Sequence, residues 1–318
     1  MCGHCGCGSE ADTTVINLQT GKETAIRQGR SDRPHDHAHP HDHGHPHDHD
    51  HPHDHDHPHS HDHPHNHSHV HQHGETRHPS QQPSDGDAHH RHHEHSSLVE
   101  LEARVLAKND ALAQRNRAWF KGREILALNL VSSPGAGKTS LLERTIHDLS
   151  RELRLFVIEG DQATAYDGER IRAAGAPAVQ VNTGSGCHLE ADMIARGLQE
   201  LRPAAGSIVM IENVGNLVCP ALFDLGERAK VLILSVTEGD DKPLKYPHMF
   251  RAADLMVLNK IDLLPHVDFD VSRAIANAAR VNPAITAVKL SARTGEGLDG
   301  WYAWLRREVA AVADAIFR

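Results

Sequence analysis

The chain has 318 residues, a formal net charge of −10, 31 histidines and only 4% aromatic residues. Charge is unevenly spread: up to Ser97 there are 6 Lys+Arg against 15 Asp+Glu, a net of −9, and from Leu98 onward 27 against 28, a net of −1. This balance excludes a basic footprint for nucleic acid or anionic lipid, and few rings are left to stack on bases.

The chain opens with Cys2, Cys5 and Cys7, three of its five cysteines, interleaved with glycine. Their spacing lets the thiolates converge on one ion, with the terminal amine or His4 as a fourth donor, and so dense a set suits a metal in a reducing compartment better than a disulfide framework. The opening residues lack a basic stretch followed by an apolar one, and no run approaches the ~18 apolar residues that cross a bilayer, so a cytoplasmic location is expected. From 35 to 73 every odd position is histidine, punctuated by Pro40, Pro46, Pro52, Pro58 and Pro64, and 26 of the 31 histidines fall between His35 and His95. Recurrent proline and the lack of an apolar face argue against a strand. With so little to bury, 9–96 is expected to be a disordered linker whose histidines, from 35 to 95, store many ions at modest affinity. Imidazole chemistry alone does not choose among Ni²⁺, Cu²⁺ and Zn²⁺.

Globular patterning is predicted over 97–318. Ser97, with Glu100 three residues on, reads as a helix N-cap ahead of Leu98, Leu101, Val105, Leu106 and Leu112 at helical spacing. Apolar runs at 125–131, 155–158, 178–181, 208–211, 231–236, 255–258 and 285–290 alternate with amphipathic segments. They predict an α/β fold: a mostly parallel seven-stranded sheet with helices on both faces.

The first of these strands runs into Ser132-Ser133-Pro134-Gly135-Ala136-Gly137-Lys138-Thr139, and Ser140 opens a helix, a pattern similar to the Walker A loop with Ser132 in place of its first glycine. Such a loop wraps phosphate in backbone N–H groups from Gly135 to Ser140, with Lys138 reaching the β and γ phosphates and the Thr139 hydroxyl ligating Mg²⁺. Asn259-Lys260-Ile261-Asp262 follows a later strand and resembles the guanine-reading N-K-x-D motif, in which the Asp262 carboxylate accepts from guanine N1–H and N2–H. Ser291 and Ala292 resemble the supporting loop at the base O6. GTP is therefore expected over ATP. Asp161 and Glu212, each at the carboxyl end of a strand, are expected at Mg²⁺ or its waters, and Gly215 stands where a GTPase switch senses the γ-phosphate.

Cys187-His188 follows a Gly-rich turn, and Cys219 lies four residues after Gly215. Three such ligands leave a tetrahedral or square-planar ion one short, which points to completion by water or a partner subunit, or to a deliberately labile ion. Cys219 alone reads more readily as a buried core residue than as a ligand, and Cys187 beside His188 shifts that balance. The informative feature is that a nucleotide-sensing loop and a metal ligand share one short segment.

The amino-terminal Cys-x-x-Cys-x-Cys, the His-rich insert, the loop at 132–139, Glu-Gly-Asp at 159–161, Cys187-His188, Glu-Asn-Val-Gly-Asn-Leu-Val-Cys-Pro at 212–220, Asp-Lys-Pro-Leu-Lys-Tyr-Pro at 241–247 and Asn-Lys-x-Asp together resemble the HypB family of G3E-type P-loop GTPases across essentially the whole chain. The resemblance implies slow GTP hydrolysis coupled to nickel insertion into [NiFe]-hydrogenase and a homodimer favoured by GTP or metal. It also implies partnership with a HypA-type metallochaperone, the hydrogenase large-subunit precursor and SlyD. By the same resemblance Cys2, Cys5 and Cys7 form a high-affinity nickel site, and Cys187, His188 and Cys219 a nickel or Zn²⁺ site in the GTPase domain. Lys242 or Lys245 would reach nucleotide in the partner subunit. The related urease accessory GTPases carry a Cys-Pro-His tripeptide, whereas Cys219-Pro220 is followed by Ala221 here, and they lack the amino-terminal thiols. A metal store with a vestigial nucleotide fold is the remaining reading; intact Lys138, Thr139 and Asp262 oppose it.

Overall fold

The computed structural model describes residues 13–26, 86–161, 166–184 and 186–314. Among the described residues, 13–26 and 95–314 belong to one compact unit, and 86–94, which are helical, to a second. Cys2, Cys5, Cys7 and the histidines of 35–73 lie outside the described residues.

A nine-stranded sheet of order β2-β1-β5-β4-β6-β3-β7-β8-β9 forms the first unit's centre. Strands β3 (Leu126–Ser132), β4 (Leu155–Asp161), β5 (Ala178–Asn182), β6 (Ile208–Glu212), β7 (Ala229–Ser235), β8 (Leu255–Asn259) and β9 (Thr286–Lys289) are the seven expected ones, all parallel. β3, β6, β7 and β8 are buried along their whole length, as continuous apolar runs covered on both faces require. β4 runs three residues past its apolar core and so carries Asp161 inside the strand.

The expected count of seven is corrected to nine, because β1 (Thr13–Asn17) and β2 (Glu23–Ile26) form an antiparallel hairpin that extends the sheet from the edge of β5. These residues were expected in the linker. Val15 pairs with Val181 and is 1% exposed, so the hairpin both buries a β-branched side chain and supplies hydrogen bonds to an edge that would otherwise be open. Helix α1 (Gly86–Lys121) also begins earlier than the N-cap expected at Ser97. No glycine or proline follows Gly86 until the helix has ended, so nothing in the chain stops it at 97.

Helices α2 (Lys138–Leu149), α3 (Tyr166–Ala174) and α8 (Leu298–Asp314) cover one face, burying Leu141, Ile146, Ile171 and Trp301 against Leu128, Leu130 and Val157. On the opposite face Phe120 of α1 and Ile194 and Leu198 of α4 (Ala191–Leu201) pack on Ala127, Ile158 and Ile211. The short helices α5 (Lys242–Lys245) and α6 (Pro247–Ala252) follow β7, and α7 (Val271–Val281) joins α6 over β7 and β8. This alternation brings every strand-to-helix loop to the carboxyl edge of the sheet.

Candidate functional site

The loop after β3 turns through Gly135 and Gly137, both at positive φ (+73° and +97°). At Gly137 a Cβ would lie 2.5 Å from Asn259 Nδ2, so both backbone geometry and close approach demand glycine. Lys138 and Thr139 then open α2 with buried side chains, Lys138 Nζ donating to Ser132 Oγ at 3.0 Å. Burial pushes the Lys138 ammonium below its ordinary pKa, with Glu212 the leading opposing charge.

The segment at 259–262 is tied to this loop directly. Asn259 Nδ2 donates to the Ala136 carbonyl at 2.9 Å, Lys260 Nζ to the Gly135 carbonyl at 2.7 Å, and the Ala292 N–H donates to Asn259 Oδ1 at 3.1 Å. Three stretches widely separated in the chain thus frame one cleft of about 830 Å³, lined by Gly137, Ser140, Lys260, Asp262, Ser291 and Ala292 among others. Asp262 Oδ1 is buried there without a hydrogen-bond partner. A carboxylate in that state is costly unless a donor meets it, and guanine supplies two.

Carboxylates crowd the phosphate end. Thr139 Oγ1 donates to Glu212 Oε1 at 2.7 Å. Glu212 is raised by burial, with Lys138 and the Thr139 bond opposing. Glu159 lies directly across the β4–β6 register from Glu212, and burial, then Glu212, then Asp161 push it to about 9. Glu159 Oε2 and Glu212 Oε2 are both buried without partners. The role of Glu159 was missed from the sequence: its signal is its position two residues before Asp161, on the same face of β4. Asp161 is half-buried, and its carbonyl accepts from the Thr183 N–H at 2.9 Å. A Cβ on Gly215 would lie 3.1 Å from Pro134 Cα, so the chain after Glu212 runs against the phosphate loop. Lys242 lies within its own chain's site, with Nζ 3.4 Å from Ser133 Oγ and 3.5 Å from Glu238, while Lys245 pairs with Asp241.

Cys187, His188 and Cys219 converge so that one donor atom from each lies within 4.8 Å of the others. The Cys187 and Cys219 sulfurs are 3.0 Å apart, and Cys187 Sγ is 3.7 Å from His188 Nδ1. Burial alone lowers His188 to about 4, leaving the neutral imidazole that metals bind, and its Nε2 is buried without a hydrogen bond. The Phe223 ring lies 3.9 Å from the imidazole centroid and shields one side. Two cysteines with one neutral imidazole make a soft-to-borderline donor set suited to nickel or zinc.

The parallel sheet and its glycine loop at a helix N-terminus define a P-loop nucleotide-binding protein. Residues 126–289 match the CobW/HypB/UreG nucleotide-binding domain. The hydrogenase maturation factor HypB of Rhizobium leguminosarum bv. viciae is 59% identical over 219 residues, covering 69% of this chain and 73% of that protein. The HypB of Escherichia coli K12 is 55% identical over 239 residues, covering 72% and 82%. A crystal structure of HypB from Helicobacter pylori in complex with nickel superposes with a TM-score of 0.60 at 36% identity, covering 64% of this chain and 96% of that one. The chain belongs to the HypB group of the CobW/HypB/UreG family of P-loop GTPases.

Proposed function

We propose that this chain is a GTP-hydrolysing metallochaperone that stores nickel and delivers it during maturation of a [NiFe]-hydrogenase. The observation that carries this reading is the course of the segment from Glu212 to Cys219. It holds the carboxylate bonded to Thr139, the glycine packed on Pro134, and one of the two thiols beside His188. Changes at the phosphate end would be felt at the metal donors through a few residues of chain.

Backbone N–H groups from Gly135 to Ser140 and the Lys138 ammonium would hold the phosphates, while Asp262 meets guanine and Asn259 and Lys260 brace the loops. Ser291 and Ala292 would back the base. Thr139 and Asp161 would hold Mg²⁺, with Glu212 taking one of its waters; the orphaned buried oxygen of Glu212 fits that task. Mg²⁺ supplies neutralisation of charge building on the phosphoryl oxygens. Gly215 would move on hydrolysis. The nickel cargo would be held by Cys187, His188 and Cys219, completed by water or by a second copy of the chain in a nucleotide-favoured homodimer; zinc would compete there. Cys2, Cys5 and Cys7 would form a tighter nickel site, and the histidines a reservoir. A cytoplasmic setting, a HypA-type metallochaperone, the hydrogenase large-subunit precursor and SlyD complete the reading.

Nickel affinity measured with GDP and with a non-hydrolysable GTP analogue tests it. The two affinities should differ, and nickel should shift nucleotide affinity by the same factor, because coupling is reciprocal. Equal affinities would overturn the nucleotide switch.

A further inference from the structure

Helix α1 carries two asparagines seven residues apart, on nearly one face, and each is only 4% exposed. Asn109 accepts from the Ala191 N–H at 2.9 Å and donates to the Asp224 carbonyl at 2.7 Å. Asn116 donates to the Ala191 carbonyl at 2.8 Å and to the Leu225 carbonyl at 3.1 Å. Ala191 comes three residues after His188, and Asp224 and Leu225 come five and six residues after Cys219. Each asparagine therefore spans the two segments that bear the thiol and imidazole donors.

The local chemistry explains why α1 is needed there. Ala191 is the first residue of α4, and its N-cap, Glu190, makes no side-chain cap bond. Its N–H would be one of the orphan donors of a helix start, and Asn109 satisfies it from a different helix. Gly226, at φ +89°, packs so closely that a Cβ would lie 2.5 Å from the Ala113 carbonyl. Arg117 adds two 2.7 Å bonds to the Asp224 carboxylate.

A second set of buried bonds joins the same segments through the sheet. The Leu189 N–H donates to Asn213 Oδ1 at 3.1 Å, Asn213 Nδ2 to Asn129 Oδ1 at 3.3 Å, Asn129 Nδ2 to Glu227 Oε1 at 3.0 Å, and the Leu225 N–H to Glu227 Oε2 at 2.7 Å. With the two α1 asparagines this closes a ring from Leu189 round to Ala191. Asn213 is the residue directly after Glu212. Buried polar networks of this kind hold one arrangement when every member is satisfied and loosen when one is lost.

We propose that Asn109 and Asn116 are positioning residues for the Cys187, His188 and Cys219 site, so that helix α1 sets the spacing of the donor atoms. The inference rests on reading that trio as a metal site. Neither asparagine touches the donors; both hold the chain segments that do, the part that outer partners play around a metal.

The test uses the full chain with Cys2, Cys5 and Cys7 changed to Ser. Only Cys187 and Cys219 then remain, so thiolate-to-Co²⁺ charge-transfer absorption reports this site alone, and tail imidazoles contribute none of it. Free Co²⁺ is set by a chelator buffer. N109A and N116A should each raise the half-saturating Co²⁺ concentration about tenfold while GDP affinity stays within about twofold. N109D keeps the acceptor for the Ala191 N–H and loses the donor to Asp224, so it should fall between N109A and the parent; it also carries the comparison if N109A does not fold. L305A, in the core under α8 on the far face, should lower the melting temperature without moving the Co²⁺ midpoint, which separates spacing from general stability. Midpoints for N109A, N109D and N116A within twofold of the parent, with C219S weakening the band and raising the midpoint about tenfold, would overturn the positioning role and leave the site standing. A C219S midpoint within twofold of the parent, with the band undiminished, would overturn the site itself.

Discussion

Thr139 Oγ1 and Glu212 Oε1 lie 2.7 Å apart, so the hydroxyl that follows the P-loop lysine is already held by the acid that ends β6. Glu212 keeps its second oxygen buried and unpartnered beside Glu159, another buried acid. A hydrated divalent cation would relieve that crowding of carboxylates. Thr139→Ala is therefore expected to lower GTP turnover by about 10²-fold or more and to raise the Mg²⁺ concentration that supports half-maximal nucleotide binding. Single-turnover hydrolysis and a Mg²⁺ titration of variant and parent check this; an unaltered Mg²⁺ dependence would remove Thr139 from the ion's shell.

Asp262 offers a sharper chemical test, because its buried Oδ1 has no hydrogen-bond partner among the described residues. Asp262→Asn replaces an acceptor with an amide that can present N–H groups to guanine N1–H and N2–H, donor against donor. GDP affinity should fall by at least about 10²-fold, since a buried mismatched polar pair loses its bond and its solvation together. Xanthosine diphosphate, with a carbonyl at C2, should bind the variant better than GDP does. Competition against a fluorescent nucleotide reads both, and a variant that still prefers GDP would show that the base lies elsewhere.

The nucleotide loops are legible in sequence because their chemistry is local: Lys138 and Thr139 must follow glycines at a helix start, and Asp262 must stand three residues after Asn259. What the sequence does not display is partnership across the fold. Glu159 is one acid at the end of an apolar run until the β4–β6 register sets it against Glu212. The hairpin at Thr13–Ile26 is short and mostly polar, and gains its place only because β5 offers an edge and Val15 a buried slot beside Val181. Asn109 and Asn116 fall on the same helical face as Leu98, Val105 and Leu112, where nothing in the sequence says what a polar side chain would bond to. They are buried because backbone groups at 191, 224 and 225 need partners there.

Away from the site, Asp148 links α2 to α8 and gives a prediction about pH. Burial works against its charge, but bonds from His147, Arg144 and Tyr302 outweigh that and hold it at about 2, below the usual 3.8. A carboxylate with a depressed folded-state pKa stabilises above its unfolded value and loses that contribution as pH falls through the folded one. Asp148→Asn should reduce unfolding free energy by about 1 kcal/mol at pH 7, a figure discounted for solvent screening. The gap between variant and wild type should narrow as pH falls from about 4 to about 2. Urea unfolding at a series of pH values measures it; a gap that persists unchanged at pH 2 would assign the loss to packing.

The histidine stretch can be separated from the GTPase by deletion, and the fold says where to cut. Because α1 begins at Gly86, and Asn109 and Asn116 on it hold the segments at 191 and 224–225, a deletion through His95 would remove part of that helix as well. Removing 35–84 keeps α1 and the hairpin at Thr13–Ile26 intact. It takes away 21 of the 31 histidines, the twenty at odd positions from 35 to 73 and His78. Equilibrium dialysis should show that most bound nickel is lost, while GTP turnover stays within about twofold of the full chain, as does the Co²⁺ midpoint at Cys187 and Cys219 when both chains carry Ser at 2, 5 and 7. That outcome follows if the imidazoles bind singly exposed ions and contribute nothing to the cleft at Asp262 or to the bond between Thr139 and Glu212. A fall in turnover of tenfold or more would mean that the stretch supports the GTPase domain, and its reading as a reservoir would be abandoned.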